Sequence, residues 1–267
     1  MTTPDSTDTF GTIPAAAVIS ACLQVQASVP SRSGIARVFG RSPLSADSRP
    51  WYLGALGELQ VAERLAKLGA DWTVLHSVPI GERGSDIDHV VIGAAGVFTI
   101  NTKFHEDARI WVGSRRLLVN GQKTDHLRNS RYEAQRVARQ LTVVARTGVD
   151  VHAAIVLVGA RTIAIREQPA DVAVLRETEV VRWLSRRPAS LDADLRDRLA
   201  AAMTCRETWA ATSGSTSESG VPAFTALRRD VTAARRVRLL WATTVFVAVL
   251  AVAATFAVNA YSALLAG

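Results

Sequence analysis

The sequence predicts an α/β fold, a mixed central sheet flanked by helices, followed by one C-terminal transmembrane helix. Three observations carry this expectation. From Trp51 to Trp209, short apolar runs bounded by turn residues alternate with amphipathic stretches of helical period, the pattern of a sheet covered by helices. Within it, Val151–Val158 is an unbroken apolar run, as expected of a central strand buried on both faces. Finally, Leu239–Val258 carries no charge. About twenty residues rising about 1.5 Å each reach about 30 Å, the hydrocarbon thickness of a bilayer.

Residues 1–50 are rich in Ser, Thr, Pro and Ala. The start is acidic, and the apolar run Ala15–Val25 is interrupted by Ser20 and Gln24, so no cleavable signal is expected. The stretch reads as a disordered N-terminal arm with one short helix and a sparse set of arginines, Arg32, Arg37 and Arg41. The α/β domain is expected over 51–210. Trp51–Leu68 has helical spacing, with Glu58, Val61, Ala62 and Leu65 on one face. Glu58 is therefore an inward carboxylate, which needs a cation or donors to offset its desolvation. Gly69 stops the helix. Trp72–Val78 reads as the first strand.

Ser85–Lys103 reads as a hairpin, two apolar runs around a small-residue turn. Val97, Thr99, Asn101 and Lys103 share one face because strand side chains alternate. A two-residue turn at Ala94-Ala95 sets Asp88 opposite Asn101; a turn at Ala95-Gly96 sets it opposite Lys103. Either way the carboxylate, the amide and the ammonium share a face. A three-residue loop would break the constellation by facing Asp88 with Thr102. Such a group is either a cross-strand ion pair at a sheet margin or a metal-dependent phosphodiesterase site, in which carboxylates hold a hard cation and a lysine serves the attacking water.

Ile110–Val112 and Leu117–Val119 predict a second hairpin around Gly113-Ser114. Asn129 or Ser130 is placed to cap a helix running to about Arg146, with an apolar stripe at Val137, Leu141 and Val144. Arg128, Arg131, Arg136, Arg139 and Arg146 make this helix basic. Ile163–Ile165 and Val172–Leu175 read as strands, Glu177–Leu184 and Leu191–Trp209 as helices. Residues 211–227 read as a flexible linker, 228–238 as a basic juxtamembrane segment, 239–258 as the transmembrane helix and 259–267 as a short tail.

Three ordered segments, Gly54–Glu58, Asp86–Gly93 and Gly96–Lys103, resemble the nuclease-related domain, NERD, over about residues 51–159. That family is assigned to the PD-(D/E)XK nuclease superfamily, and the resemblance implies a restriction-endonuclease-like fold. It also implies catalytic roles for Glu58, Asp88, Asn101 and Lys103. Gln135 is a further site residue by the same resemblance, since nuclease relatives place a glutamine on the helix after the lysine strand. Glu58, Asp88 and Asn101 would hold Mg²⁺ or Mn²⁺. Asn101 stands where the superfamily pattern has Glu or Asp, which implies weakened metal binding unless Glu106 or Asp107 supplies the missing carboxylate.

The chain of 267 residues carries a net charge of +7 and a pI of about 10.2. The excess suits an anionic partner, nucleic acid or a lipid leaflet. Two cysteines, Cys22 and Cys205, make no disulfide framework and no metal spacing. Arginines cluster before the apolar span and none follows it, so the positive-inside rule puts the domain in the cytoplasm and the protein in the cell membrane as a single-pass chain. Two functions fit. One is metal-dependent hydrolysis of nucleic acid. The other is a catalytically impaired nuclease-fold module that binds nucleic acid or a protein partner at the membrane.

Overall fold

The computed structural model describes residues 11–79, 86–205, 208–209 and 220–266. Their elements, in order, are α1 (Ala16–Ala27), α2 (Gly34–Val38), α3 (Ser48–Leu65), β1 (Thr73–Pro79), β2 (Asp86–Gly93), β3 (Gly96–Phe104), β4 (Arg109–Gly113), β5 (Arg116–Val119) and β6 (Gln122–Lys123). Then come α4 (His126–Ala145), β7 (Val151–Val158), β8 (Thr162–Ile165), β9 (Val172–Arg176), α5 (Val180–Ser185), α6 (Ala193–Thr204) and α7 (Gly220–Ala266). They divide into two compact units, residues 1–22 with 50–220, and residues 23–49 with 221–267.

The first unit is built on a five-stranded mixed sheet in the order β1-β2-β3-β7-β9. β1, β2 and β3 are antiparallel neighbours; β3, β7 and β9 are parallel. A four-stranded sheet, β6-β5-β4-β8, accompanies it, where one sheet was expected. The unbroken apolar run of β7 serves two cores. Ala154, Val156 and Val158 face α3 and α5, packing with Val61, Leu65, Phe98 and Leu184. Ala153, Ile155 and Leu157 face the opposite way, toward Leu127 and Ala134 of α4 and toward Ile110, Val112 and Leu117 of the smaller sheet. Beside that layer, Val137 and Leu141 of α4 and Leu199 and Met203 of α6 bury Leu75, Val90, Ile92 and Val97.

The β2–β3 hairpin pairs Gly93 with Gly96, Ile92 with Val97 and His89 with Ile100. Ala94-Ala95 is therefore its two-residue turn, and continuing the register sets Asp88 across from Asn101. Gly96 has φ +126°, open to glycine at little cost. On the other side of β2, the ladder with β1 runs His76↔His89 and resumes at Val78↔Ile87. Ser77, opposite Asp88, has a left-handed backbone, φ 49°, and its hydroxyl accepts a hydrogen bond from the Ala16 backbone N–H at 3.0 Å.

Helix α4 starts a turn earlier than its sequence caps suggested. Asp125 occupies the N-cap without a side-chain cap bond and pairs with Arg128 at 3.1 Å. Ser130 is buried instead.

Outside the two sheets, two expectations are not met. The stretch read as a disordered arm is helical over α1 and α2: Ile19 and Cys22 are buried on α1, and Ser33 caps α2 by accepting from the Ala36 N–H at 3.2 Å. Residues 1–10 lie outside the described residues. Helix α7 takes in the second part of the expected linker, the basic segment, the apolar run and most of the tail as one element; residues 211–219 lie outside the described residues. Ala, Leu and Arg dominate its first turns, and such residues propagate a helix once it has begun. It is long and apolar enough to cross a membrane, and the apolar window is not covered by the rest of the protein.

Candidate functional site

The ends of β2 and β3 gather a polar group inside an otherwise apolar layer. Alternation puts Thr99, Asn101 and Lys103 on one face of β3 and Asp86 and Asp88 on the matching face of β2. Thr99 and Asn101 are buried. An Asp88 carboxylate oxygen accepts the backbone N–H of Thr102 at 2.5 Å. Glu58 arrives from α3, on the other side of the sheet. Gly57 lets α3 approach the end of β3 closely, because a Cβ there would lie 3.1 Å from Phe104 Cβ and 3.3 Å from Thr102 Cγ2. Glu58 is consequently buried, 5 % exposed, and its carboxyl interacts electrostatically with Asp88, Asp86 and Lys103.

The helix α4 supplies a residue that sequence reading did not single out. Asn101 Nδ2 donates to both carboxylate oxygens of Glu133, at 2.6 and 2.7 Å. Glu133 also interacts electrostatically with Asp88, Lys103 and Asp86. Gln135, two residues on, is on the exposed side of α4. At 100° per residue, Glu133 lies within about 60° of buried Ser130 and Val137, whereas Gln135 lies about 140° from Ser130 and about 160° from Val137. The apolar stripe at Val137 and Leu141 already contained that signal. Glu106 and Asp107 are exposed in the loop after β3. Two arginines of α4 are engaged elsewhere than with Glu133. Arg131 forms a forked pair with Asp171 at 2.5 and 2.9 Å, and Arg136 donates to the Tyr132 hydroxyl at 3.1 Å.

Residues 53–158 match the family described as the nuclease-related domain. The match runs from the first turns of α3 to the end of β7. No curated protein and no solved structure proved similar to it. The general context of this family is the PD-(D/E)XK nuclease superfamily, which uses divalent cations.

The buried acids suit a hard divalent cation by donor chemistry. Glu58 Oε2, Asp86 Oδ2 and Asn101 Oδ1 are buried and have no hydrogen-bond partner among the described residues. Buried, unpaired oxygens are costly unless something neutralises them. Among the described residues no three His, Cys, Asp or Glu side chains stand together as a metal cage. Without a cation, burial favours the protonated form of each acid. Burial pushes Glu58 up to about 10, with help from the charges of Asp88 and Asp86. Burial and Asp88 push Asp86 to about 6. Burial raises Glu133 to about 7, against the pull of the Asn101 amide. Burial also raises Asp88, against Lys103 and the Thr102 N–H.

A linked pH dependence follows. Between pH 4.5 and about 10 the folded domain holds the Glu58 proton while the unfolded chain has released it. Proton binding then favours the folded state, and stability falls as pH rises, by up to about 1.4 kcal/mol per unit. Glu58→Gln removes this slope. Urea melts of the native chain and of Glu58→Gln, from pH 5 to 9 in chelator, are expected to diverge with rising pH to the variant's advantage. Parallel curves would show that Glu58 is ionised in the fold.

Two histidine pairs lie near the site. His76 and His89 meet Nδ1 to Nδ1 at 2.8 Å, and burial holds both below the usual imidazole range. They are a neutral donor–acceptor pair within the sheet. His105 and His126 meet Nε2 to Nε2 at 3.1 Å, and both feel the charge of Lys103 after burial.

Proposed function

We propose that the NERD domain hydrolyses phosphodiester bonds of nucleic acid with Mg²⁺ or Mn²⁺, on a chain that α7 anchors in a membrane as a single span. The hydrogen bond from the Asn101 amide to the Glu133 carboxylate carries this reading. In this reading a helix supplies the carboxylate that the strand lacks. Glu58, Asp88 and Glu133, with Asn101 Oδ1, would hold the cation, and Asp86 adds a fourth nearby acid. A divalent cation in such a place stabilises phosphoryl charge and acidifies a bound water. Lys103 is the shared cation of the group, interacting with Glu58, Asp86, Asp88 and Glu133. Its ammonium donates to and orients the attacking water. The Asn101 amide fixes the Glu133 carboxylate in the site, and Thr102 N–H fixes Asp88.

Nucleic acid suits the outer surface of the smaller sheet. Trp111 is 39 % exposed, beside the exposed side chains of Arg109, Arg116 and Lys123. Exposed rings stack on bases, and cations track the backbone. The test is cleavage of single- and double-stranded DNA and RNA by the full chain in detergent, with Mg²⁺, Mn²⁺ or chelator. Cation-dependent cleavage is expected. Nucleic-acid binding without cleavage in either metal would instead identify a binding module that has lost chemistry.

Arginines on the N-terminal side of the apolar run put the NERD domain on the cytoplasmic side. Protease added to intact spheroplasts is therefore expected to spare the domain until lysis. Digestion before lysis contradicts this orientation.

A further inference from the structure

The second unit contains an exposed apolar tip that the nuclease reading does not use. The arm from Arg32 to Arg41 lies along the start of α7. Arg32 pairs with Asp230 at 3.3 Å. Gly40, with φ +64°, lies so close to α7 that a Cβ would be 2.6 Å from the Ala234 carbonyl oxygen and 2.7 Å from the Arg238 nitrogen. The Trp241 indole N–H donates to the Val38 carbonyl at 2.8 Å, and the Phe39 and Trp241 rings are 5.5 Å apart. These contacts fix the height of the tip on α7, at the first turn of the uncharged run that starts at Leu239.

The tip faces outward. Ile35, Val38 and Phe39 are 73 %, 59 % and 58 % exposed. Three large apolar side chains on neighbouring positions, held rigidly in water, are unfavourable by the area they leave uncovered. Their exposure continues directly into that of Leu239, Leu240 and Trp241 on α7. The flanking charge has one sign: residues 28–45 and 221–266 carry eight arginines and a single acid, Asp230. Tryptophan prefers the membrane–water boundary, and arginines beside a span favour anionic headgroups.

We infer that the α2 tip, Ile35, Val38 and Phe39, is a second membrane contact: it inserts into the interfacial layer of an anionic bilayer beside α7. This rests on the reading of α7 as a membrane span. The apolar occupant is lipid because the tip is level with the start of the span, and the arginines match anionic headgroups rather than another copy of this basic chain. The contact would turn a single attachment into a two-point one, holding the arm against the surface.

The test uses the full chain with Cys205→Ser, reconstituted in vesicles of phosphatidylcholine and phosphatidylglycerol. The environment-sensitive fluorophore NBD is placed at Ile35→Cys, at Val249→Cys within the span, or at Lys123→Cys on the soluble domain. The probe at 35 is expected to be quenched by lipids spin-labelled near the headgroup. It is also expected to be about threefold or more less accessible to aqueous iodide than the probe at 123, as for a side chain in the interfacial layer. Adding Gly40→Ala should return the probe at 35 to water and leave the probe at 249 in lipid. If the probe at 35 is as open to iodide as that at 123 while 249 is lipid-quenched, the span stands and the tip contact is overturned. Iodide shielding at 35 without lipid quenching points to a second copy and also overturns it. If neither 35 nor 249 is quenched by lipid, the span reading fails and takes the contact with it.

Discussion

Lys103→Ala is expected to lower cation-dependent cleavage by about 10²–10⁴-fold, the range for a group that assists proton movement at the reacting atoms, while leaving cation binding nearly intact. The split follows from the charge arrangement. Lys103 lowers the proton affinity of Glu58, Asp86, Asp88 and Glu133, which favours cation binding. Yet it also repels any cation those acids hold. The two effects oppose each other, so affinity changes little. No other side chain among these residues offers an ammonium to the water, so the rate falls. Asp88→Asn is expected to lose both affinity and rate, because its carboxylate is a candidate ligand held in place by Thr102 N–H. Calorimetry with Mn²⁺, set beside the cleavage rate, separates the two variants. Unchanged cleavage in Lys103→Ala would remove this residue from the chemistry. Loss of cation binding in Lys103→Ala would recast it as a residue that shapes the acids.

The second large effect concerns the pair Asn101–Glu133. Glu133→Gln keeps the size of the side chain and still accepts a hydrogen bond from the Asn101 amide, so the fold is expected to survive. Cation affinity is expected to fall by about 10–100-fold or more, the loss seen when even a supporting partner of a metal ligand is removed. Asn101→Asp, which restores the strand carboxylate, is expected to harm the native chain. It sets a second acid against Glu133 across a gap now spanned at 2.6–2.7 Å, and removes the donor that Glu133 uses. An unsatisfied buried acceptor costs about 1–3 kcal/mol, so a lower Tm is expected. The double variant Asn101→Asp with Glu133→Gln reverses the pair, with the amide on the helix and the carboxylate on the strand. It is expected to recover most of the stability and affinity lost in the single variants, a coupling that only a direct contact produces. Strictly additive losses would mean that the two side chains act independently and that Glu133 does not stand in for the strand acid.

Local periodicity determined much of this protein. The alternation in Asp86–Lys103 and its small-residue turn limited the hairpin to a few registers. The observed pairing of Gly93 with Gly96 is one of the two that keep Asp88, Asn101 and Lys103 on a common face. The helical phase of Glu58 relative to Val61 and Leu65 marked it as inward-facing, and it is buried. The apolar run at 151–158 announced a strand covered on both sides, and β7 feeds two cores. The uncharged run at 239–258 announced a helix of membrane length. These features depend on the repeat of the side chains along one element, which the chain itself carries.

Tertiary structure decided what separate elements do to one another. Resemblance pointed to Gln135 on α4, whereas packing of Ser130, Ala134 and Val137 against the sheets rotates Glu133 toward Asn101 and leaves Gln135 in solvent. The division of the strands into two sheets, the approach of Glu58 through Gly57, and the seating of the arm on α7 through Gly40 are of the same kind. Each depends on contacts between residues far apart in sequence, where burial of one face must be matched by another surface. No local repeat encodes which surface that is.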